Sequence, residues 1–338
     1  MIKDWMKISS IYVGTVIGAG FASGREIVEF FGVYGIKGIF GMVISGMLFS
    51  IAGSLLLIKM YNNRINNLSE LSEKIFGRKL WIIFDTLIGF SLYTGYSVMI
   101  SASGAVFEQE LSISYDIGIL FMVISTFIVF LFNLEGLSLV NTILVPMLII
   151  GILFTSIYVN VDQAYSLSNI EGVGLTRKGN FITSSILYFG SNSLIIIIVF
   201  SSLLPLIKDK KTAVVGGTIG GLLLFTLGIS ILISMLIYYN EIAYLNIPML
   251  KICDHIGKNY RKIYAVVLWI AVFTTAVANG FGFMNRVSNS KRKLLYTGLF
   301  CLSAIPLAKF GFANLVATIY PIFGFIGAGM MLFILLYL

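Results

Sequence analysis

The stretch VGTVIGAGFASGREIVEFFGVYG, Val13 to Gly35, admits three readings that lead to different folds. As the turn of a dinucleotide-binding strand–turn–helix unit, Gly18-x-Gly20 needs a preceding strand, a third small residue and an acid roughly 20 positions on for the ribose. Ser23 could pass as the small residue, but no acid follows Glu29 until Glu70. As a packing stripe, Gly14/Gly18 and Gly20/Gly24 form two G-x-x-x-G pairs that let helices approach closely. At about 100° per residue the pairs lie roughly 240° apart, so one stripe explains only one of them. As a break in a membrane helix, Gly18-Ala19-Gly20 exposes amide N–H groups at the positive end of the following half-helix, able to cradle a carboxylate. The carbonyls that end the preceding half-helix could then coordinate a cation. Arg25, Glu26 and Glu29 follow in the same span, where lipid-facing charge is costly, so they face a cavity, a partner or the outer surface.

The rest of the chain favours the membrane. Of 338 residues, 58% are hydrophobic and only 11% charged, and the mean hydropathy is +0.97. That leaves too little polar surface to cover a soluble globule of this size. The apolar runs are continuous rather than alternating, which predicts helices and not a barrel. The net charge of +8 comes without a basic face interleaved with aromatics, so no nucleic-acid partner is expected. Two distant cysteines, Cys253 in an expected loop and Cys301 in an apolar run, suggest neither a disulfide nor a metal site. The start MIKDWMK leads into a run longer than a signal-peptide core and lacks a small-residue cleavage site, so the first helix is expected to stay.

Division at polar and turn-forming clusters predicts an all-α polytopic protein of about ten spans in one transmembrane domain, residues 1–338. They are Ile8 to Phe31, Ile36 to Met60, Leu80 to Phe107, Ile117 to Leu131, Leu137 to Val159, Phe181 to Ile207, Ala213 to Tyr239, Ile263 to Val287, Leu294 to Ala308 and Phe312 to Leu338. With both termini cytoplasmic, the inner segments hold Lys3, Lys7, Lys59, Arg64, Lys74, Arg78, Lys79, Lys208, Lys210, Lys211, Arg286, Lys291, Arg292 and Lys293. The outer connections after the third and fifth spans carry Glu108, Glu110, Asp116, Asp162 and Glu171, which satisfies the positive-inside rule on balance. Lys37, Arg177, Lys178, Lys309 and the basic residues between Asn240 and Lys262 run against it.

The chain also divides near residue 170 into halves of five spans, approximately 1–165 and 170–338. Odd-numbered halves lie in opposite orientations, so any kinship between them is an inverted repeat. The sixth span, ITSSILYFGSNSLIIIIVF, carries Tyr188 to Ser193 at its middle, residues that make poor helix interiors. Interruptions at matching positions of the two halves point to a transporter binding site.

With those residues in view, GTVIGAGFASGRE resembles the interrupted first helix of the amino acid, polyamine and organocation (APC) transporter superfamily, whose members share the LeuT-type inverted repeat. In detail it looks most like the bacterial amino acid permease group that includes YkvI. The resemblance implies that the first and sixth helices are broken. It also implies a midplane pocket built from Gly18, Ala19, Gly20 and Phe21, from Tyr93 and Tyr96 of the third span, and from Tyr188, Gly190, Ser191 and Asn192 of the sixth. For the two tyrosines, ordinary helix packing or an interfacial belt is the competing reading.

WIAVFTTAVANGFGF in the eighth span resembles the sodium-coupled members, with Ala271, Thr274 and Thr275 at the spacing that faces first-helix carbonyls of Gly14 and Ile17. Sodium prefers oxygen ligands, but threonines also back-bond to their own helix, and both readings stand. A second sodium site of the fold needs an Asn where this chain has Phe21, so at most one ion is expected. The fifth span lacks the Lys that proton-coupled relatives use, and the sole His, His255, falls in an expected loop. Arg25 and Glu26 could form an outer gate or simply end the helix at the interface. Asp85, near the inner end of the third span, suits a gate, snorkelling or coupling.

The expectation is therefore a secondary transporter in a bacterial plasma membrane, moving a small zwitterionic solute, an amino acid, with sodium as an optional coupling ion and no other cofactor. A membrane sensor with the same pocket but no translocation, like germinant-receptor subunits of the superfamily, is the alternative. No P-loop, nucleophile elbow or metal cluster supports an enzyme or an ATP-driven pump. The solute and the oligomeric state are not legible, since the GGTIGG run of the seventh span suits contacts within or between copies equally.

Overall fold

A computed structural model describes residues 3–75, 77–132, 137–162, 179–287 and 293–338. The junction between the halves, with Glu171, Arg177 and Lys178, lies outside the described residues, as do Lys291 and Arg292. Within them the chain folds into helices only. The first span is split into α1 (Asp4–Val16), α2 (Ala19–Ser23) and α3 (Arg25–Phe30). There follow α4 (Ile36–Asn63), α5 (Leu68–Ile75), α6 (Gly77–Leu111), α7 (Tyr115–Phe132), α8 (Leu137–Asp162) and α9 (Phe181–Phe200). The remainder is α10 (Lys210–Ile237), α11 (Tyr239–Ile242), α12 (Pro248–Asp254), α13 (Lys258–Val287), α14 (Lys293–Ala308) and α15 (Phe312–Tyr337). The runs Ile36–Asn63, Ile82–Leu111, Ile143–Val161, Phe181–Phe200, Lys210–Ile237, Lys258–Met284 and Phe312–Tyr337 are long and apolar enough to cross a membrane, and Tyr115–Leu131 and Leu294–Ala308 are shorter apolar helices.

The outer surface supports the same placement. Along α8 the exposed side chains include Ile143, Met147, Ile150, Phe154, Ile157 and Val161, a stripe at helical spacing with Ile150 66% exposed. Such a stripe is stable against acyl chains and costly against water. Inside, α4 lies along α10, α15 along α9, and α13 along α6, while α1 packs on α10. The contact of α10 with α4 and α1 uses the GGTIGG run. A Cβ on Gly217 would meet Ser54, and one on Gly216 or Gly220 would meet Ile8 or Tyr12, so these glycines pack within the fold.

The first helix is interrupted for a reason visible in its hydrogen bonds. The i→i−4 ladder of α1 ends with the Ile17 amide on Val13 O at 2.8 Å, and the Gly18 amide turns back to Val16 O at 2.9 Å. Gly18 is extended (φ −100°, ψ −173°), and the ladder restarts with the Ala22 amide on Gly18 O at 3.0 Å. A second break, not foreseen from the sequence, falls at Gly24. Its φ of +78° is left-handed, the conformation that favours glycine, while a Cβ there would clash only with the movable end of the Met235 side chain. Every residue of α2 and α3 is buried, including Arg25, Glu26 and Glu29. Elements α9, α10, α12, α13 and α15 close around them.

The expected break in the sixth span is corrected by α9, which runs unbroken through Tyr188–Ser193. The Ser191 hydroxyl (2.8 Å) and the Asn192 amide (3.0 Å) both donate to Tyr188 O, and the Ser193 hydroxyl donates to Phe189 O at 2.9 Å. These polar side chains therefore bond back onto the helix instead of opening it. Gly190 is a packing glycine, since a Cβ on it would hit Gly324 O of α15. Tertiary packing thus outweighs weak helix propensity. The segment expected as a long loop between Asn240 and Lys262 is also ordered. It forms α12 against α13 and α2, burying Cys253, and His255 at its end stacks on Tyr238 at 4.0 Å.

Candidate functional site: a cavity at the break in the first helix

A cavity of about 150 Å³ opens at the Ile17–Gly18 break. Its walls are Thr15 and Val16 at the end of α1, Gly18, Ala19 and Gly20 at the break, and Glu26 of α3. Opposite stand Ser91, Thr94, Gly95, Val98 and Met99 of α6, Ser191, Asn192, Leu194 and Ile195 of α9, Thr275 and Asn279 of α13, and Ile319, Tyr320 and Phe323 of α15. A dry apolar cavity of about this volume holds a benzene-sized molecule, which makes this one suited to a solute of similar bulk. The break supplies backbone polarity on both sides. Ala19, Gly20 and Phe21 are the first amides of α2, beyond the reach of intrahelical acceptors, and among the described residues no amide across the break takes the Gly14 or Thr15 carbonyl. Gly18 has open space where a Cβ would project.

Five of the ten expected solute residues line this cavity: Gly18, Ala19, Gly20, Ser191 and Asn192. The other five are placed elsewhere. Phe21 is buried in the core and is not on the wall. Tyr96 stacks on Phe300 (4.6 Å, 27°) and shares a hydrogen bond with Thr126 at 2.8 Å. The Tyr93 hydroxyl donates to Ser303 O at 2.8 Å. Both tyrosines thus point toward α7 and α14. Ser91, Thr94, Gly95 and Val98 occupy the cavity face of α6, and at about 100° per residue Tyr93 and Tyr96 fall on its opposite flank. Tyr188 packs among Phe30, Phe31 and Phe49, and Gly190 faces α15.

Arg25 and Glu26, expected as an outer gate or an interfacial helix end, turn to different sides of α3. Arg25 turns away from Glu26, with Nη2 2.9 Å from Glu29 Oε2 and Nη1 donating to Ala243 O (2.7 Å) and Leu245 O (3.2 Å). It fastens the segment after α11 onto α3. Glu26 turns the other way, into the cavity. Its carboxylate lies where a Cβ on Gly20 would have to go, with the Tyr320 hydroxyl as its hydrogen-bond partner. Glu26 is 6% exposed, and it is the only charged side chain among the described residues of the wall. Asp85 is half-buried on α6 and does not reach the cavity.

Of the expected cation ligands, Thr275 lines the cavity while Gly14, Ile17, Ala271 and Thr274 do not. The Thr274 and Thr275 hydroxyls donate to Ala271 O at 3.1 and 2.8 Å, the back-bonded arrangement. Their oxygens keep lone pairs that can still accept. A Cβ on Gly14 would lie 3.6 Å from Val145 Cγ1, an ordinary contact. Among the described residues no group of three or more His, Cys, Asp and Glu comes together as a metal site would need. Asn279 and Tyr320 were not singled out from the sequence. Asn279 follows Thr275 by four residues on the same helical face, a signal that was there to use. It lies against Gly95, where a Cβ would come 2.8 Å from its Nδ2.

No protein-family profile matches the chain. It is 31% identical over 324 residues to the uncharacterized membrane protein YkvI of Bacillus subtilis, covering 95% of this chain and 92% of that one. It is 26% identical over 335 residues to YyaD of the same organism, covering 98% and 96%. Among solved structures, a variant of the manganese transporter of Eremococcus coleocola superposes with a TM-score of 0.65 at 13% identity, covering 98% of this chain and 79% of the other. Mhp1 in its inward-facing conformation superposes with a TM-score of 0.60 at 10% identity, covering 98% and 76%. At such identities the superpositions speak for the fold. The chain is a multi-pass membrane protein with the LeuT-type fold, and it belongs to the family of YkvI.

Proposed function

We propose that the protein is a secondary transporter that carries a small zwitterionic solute, an amino acid, by alternating access around the cavity at the first-helix break. The observation that carries this reading is the break itself. Non-helical backbone at membrane depth is tolerated where it is buried in protein or lines a cavity, and here it lines one sized for a small organic molecule. The solute carboxylate sits on the free amides of Ala19, Gly20 and Phe21, at the positive end of α2. Ser191, Asn192 and Thr275 offer hydroxyl and amide groups to the remaining polar atoms. With one carboxylate on its wall, the cavity suits an organic solute better than a divalent metal, which takes several oxygen or nitrogen ligands.

In this reading the ten helical segments all span, five against five in inverted halves, with both termini on the cytoplasmic side of a bacterial cell membrane. One sodium ion sits between the carbonyls that end α1 and the oxygens of Thr274 and Thr275, and it favours one conformation by its differential affinity.

The test is a melting-shift screen of the purified protein against amino acids, amines and nucleobases, in sodium and in choline. Saturation at about 100 Kd adds about 2.7 kcal/mol, a clear shift. Stabilisation by at least one amino acid, larger in sodium, is the expected result. No response from any amino acid would overturn the reading, and equal responses in sodium and choline would remove the ion alone.

A further inference from the structure

Glu26 was expected at a gate or at an interfacial helix end, yet its carboxylate lies inside the cavity with no counter-charge among the described residues of the wall. Arg25, the adjacent cation, is spent on Glu29 and two backbone carbonyls. The wall that faces Glu26 contributes hydroxyls and amides, and Tyr320 is its hydrogen-bond partner. A carboxylate held this deep without a cation is unfavourable, because burial removes its hydration and one hydroxyl replaces little of it. A purely structural acid would be expected to gather backbone amides or a basic side chain. This one abuts Gly20, at the place where the solute-binding break begins. Leaving the position beside it as glycine is what allows the carboxylate to reach the cavity, since a Cβ on Gly20 would occupy the same space as its oxygen.

We infer that Glu26 is the ammonium site of the cavity, so that the solute must carry a cationic amine. The amine's charge neutralises Glu26, and its other N–H groups meet the acceptors of Ser191, Asn192 or Thr275 on the facing helices. The amides that open α2 lie beside it for the opposite charge. The two features together select a zwitterion over a carboxylic acid of the same bulk. This rests on the transporter reading of the cavity and adds the group that decides between solute classes.

The experiment uses the full-length protein and three matched sets built on alanine, leucine and phenylalanine. Each set contains the amino acid, the amine lacking the carboxylate and the acid lacking the amine. Melting shifts are titrated in sodium and in choline for the wild type, Glu26→Gln and Tyr320→Phe. The wild type is expected to respond to at least one amino acid and not to its deaminated acid. Glu26→Gln, which keeps the shape, is expected to lose at least about tenfold in affinity for that amino acid, equivalent to about 1.4 kcal/mol. Tyr320→Phe is expected to keep the preference for the amine. Equal affinity of the wild type for an amino acid and its deaminated acid overturns the inference without any variant. So does unchanged affinity in a folded Glu26→Gln, or a stabilisation by sodium alone that only Glu26→Gln loses, which would make Glu26 an ion ligand. Silence of the wild type toward all nine compounds and toward every amino acid of the wider screen overturns the transporter reading along with it.

Discussion

Gly18 offers the sharpest test at the scale of a residue, because space and backbone agree there. Its φ of −100° is open to any L-residue, and among the described residues no atom beyond its chain neighbours lies within 4 Å of the position a Cβ would take. Gly18→Ala is therefore expected to fold with an unchanged melting temperature while its methyl enters the cavity and weakens solute binding about tenfold or more. A melting loss equal to that of a core overpacking would contradict this. Tyr96 makes the complementary case. Tyr96→Phe removes the hydroxyl that meets Thr126 and is expected to cost about 1 kcal/mol of stability. Solute affinity, read by the same titration, should not change. The sequence indicated the break at Gly18 because its effect is local to the backbone, but not that Gly190 packs on α15. It misplaced Tyr93 and Tyr96 because aromatic residues suit a pocket and a helix contact alike, and only the polar face formed by Ser91 and Thr94 tells which flank looks inward. Glu26 was legible only as kept from lipid, facing a cavity, a partner or the outer surface; its direction depended on the left-handed turn at Gly24, which charge patterning does not report.

At the scale of elements, α4 and α10 approach so closely that glycine is needed between them. A Cβ on Gly217 would come 2.5 Å from the Ser54 amide nitrogen. Helix propensity alone predicts a gain of about 1 kcal/mol for Gly217→Ala, whereas overpacking predicts a loss of about 1–3 kcal/mol. The structure predicts the loss, and the sign of the melting change decides it. The start of α1 is held differently. Lys208 Nζ lies 2.5 Å from Asp4 Oδ2, and this hydrogen bond with its charge holds the Asp4 carboxyl below its ordinary value. A depressed carboxyl stabilises the fold above its unfolded pKa of about 3.9 and ceases to do so as pH falls through the lower folded value. Asp4→Asn should therefore melt slightly below the wild type at pH 7, with the two curves converging in acid. The broken first helix was readable from two glycines flanking one residue, while α9 looked broken and is not. The distinction lies in tertiary partners: Gly190 has the α15 backbone to pack against, and Gly18 has only the cavity.

At the scale of the whole molecule, fold class was plain because lipid imposes a composition and a continuous apolar period on every helix. Most ends of the helical segments differ from those expected by a few residues, the sixth ends at Phe200 instead of Ile207, and α5, α11 and α12 went unseen because they are short. What was not legible is chemistry that depends on relative placement, above all the turning of Arg25 and Glu26 to opposite sides. The central claim is that a solute bound at the first-helix break crosses the membrane, and counterflow measures that most directly. Proteoliposomes preloaded with an unlabelled amino acid that stabilises the protein are diluted into the labelled compound. The account predicts a transient accumulation above the outside concentration, lost in Gly18→Ala. Binding of that amino acid with no exchange beyond protein-free liposomes would contradict it and leave a sensor in its place.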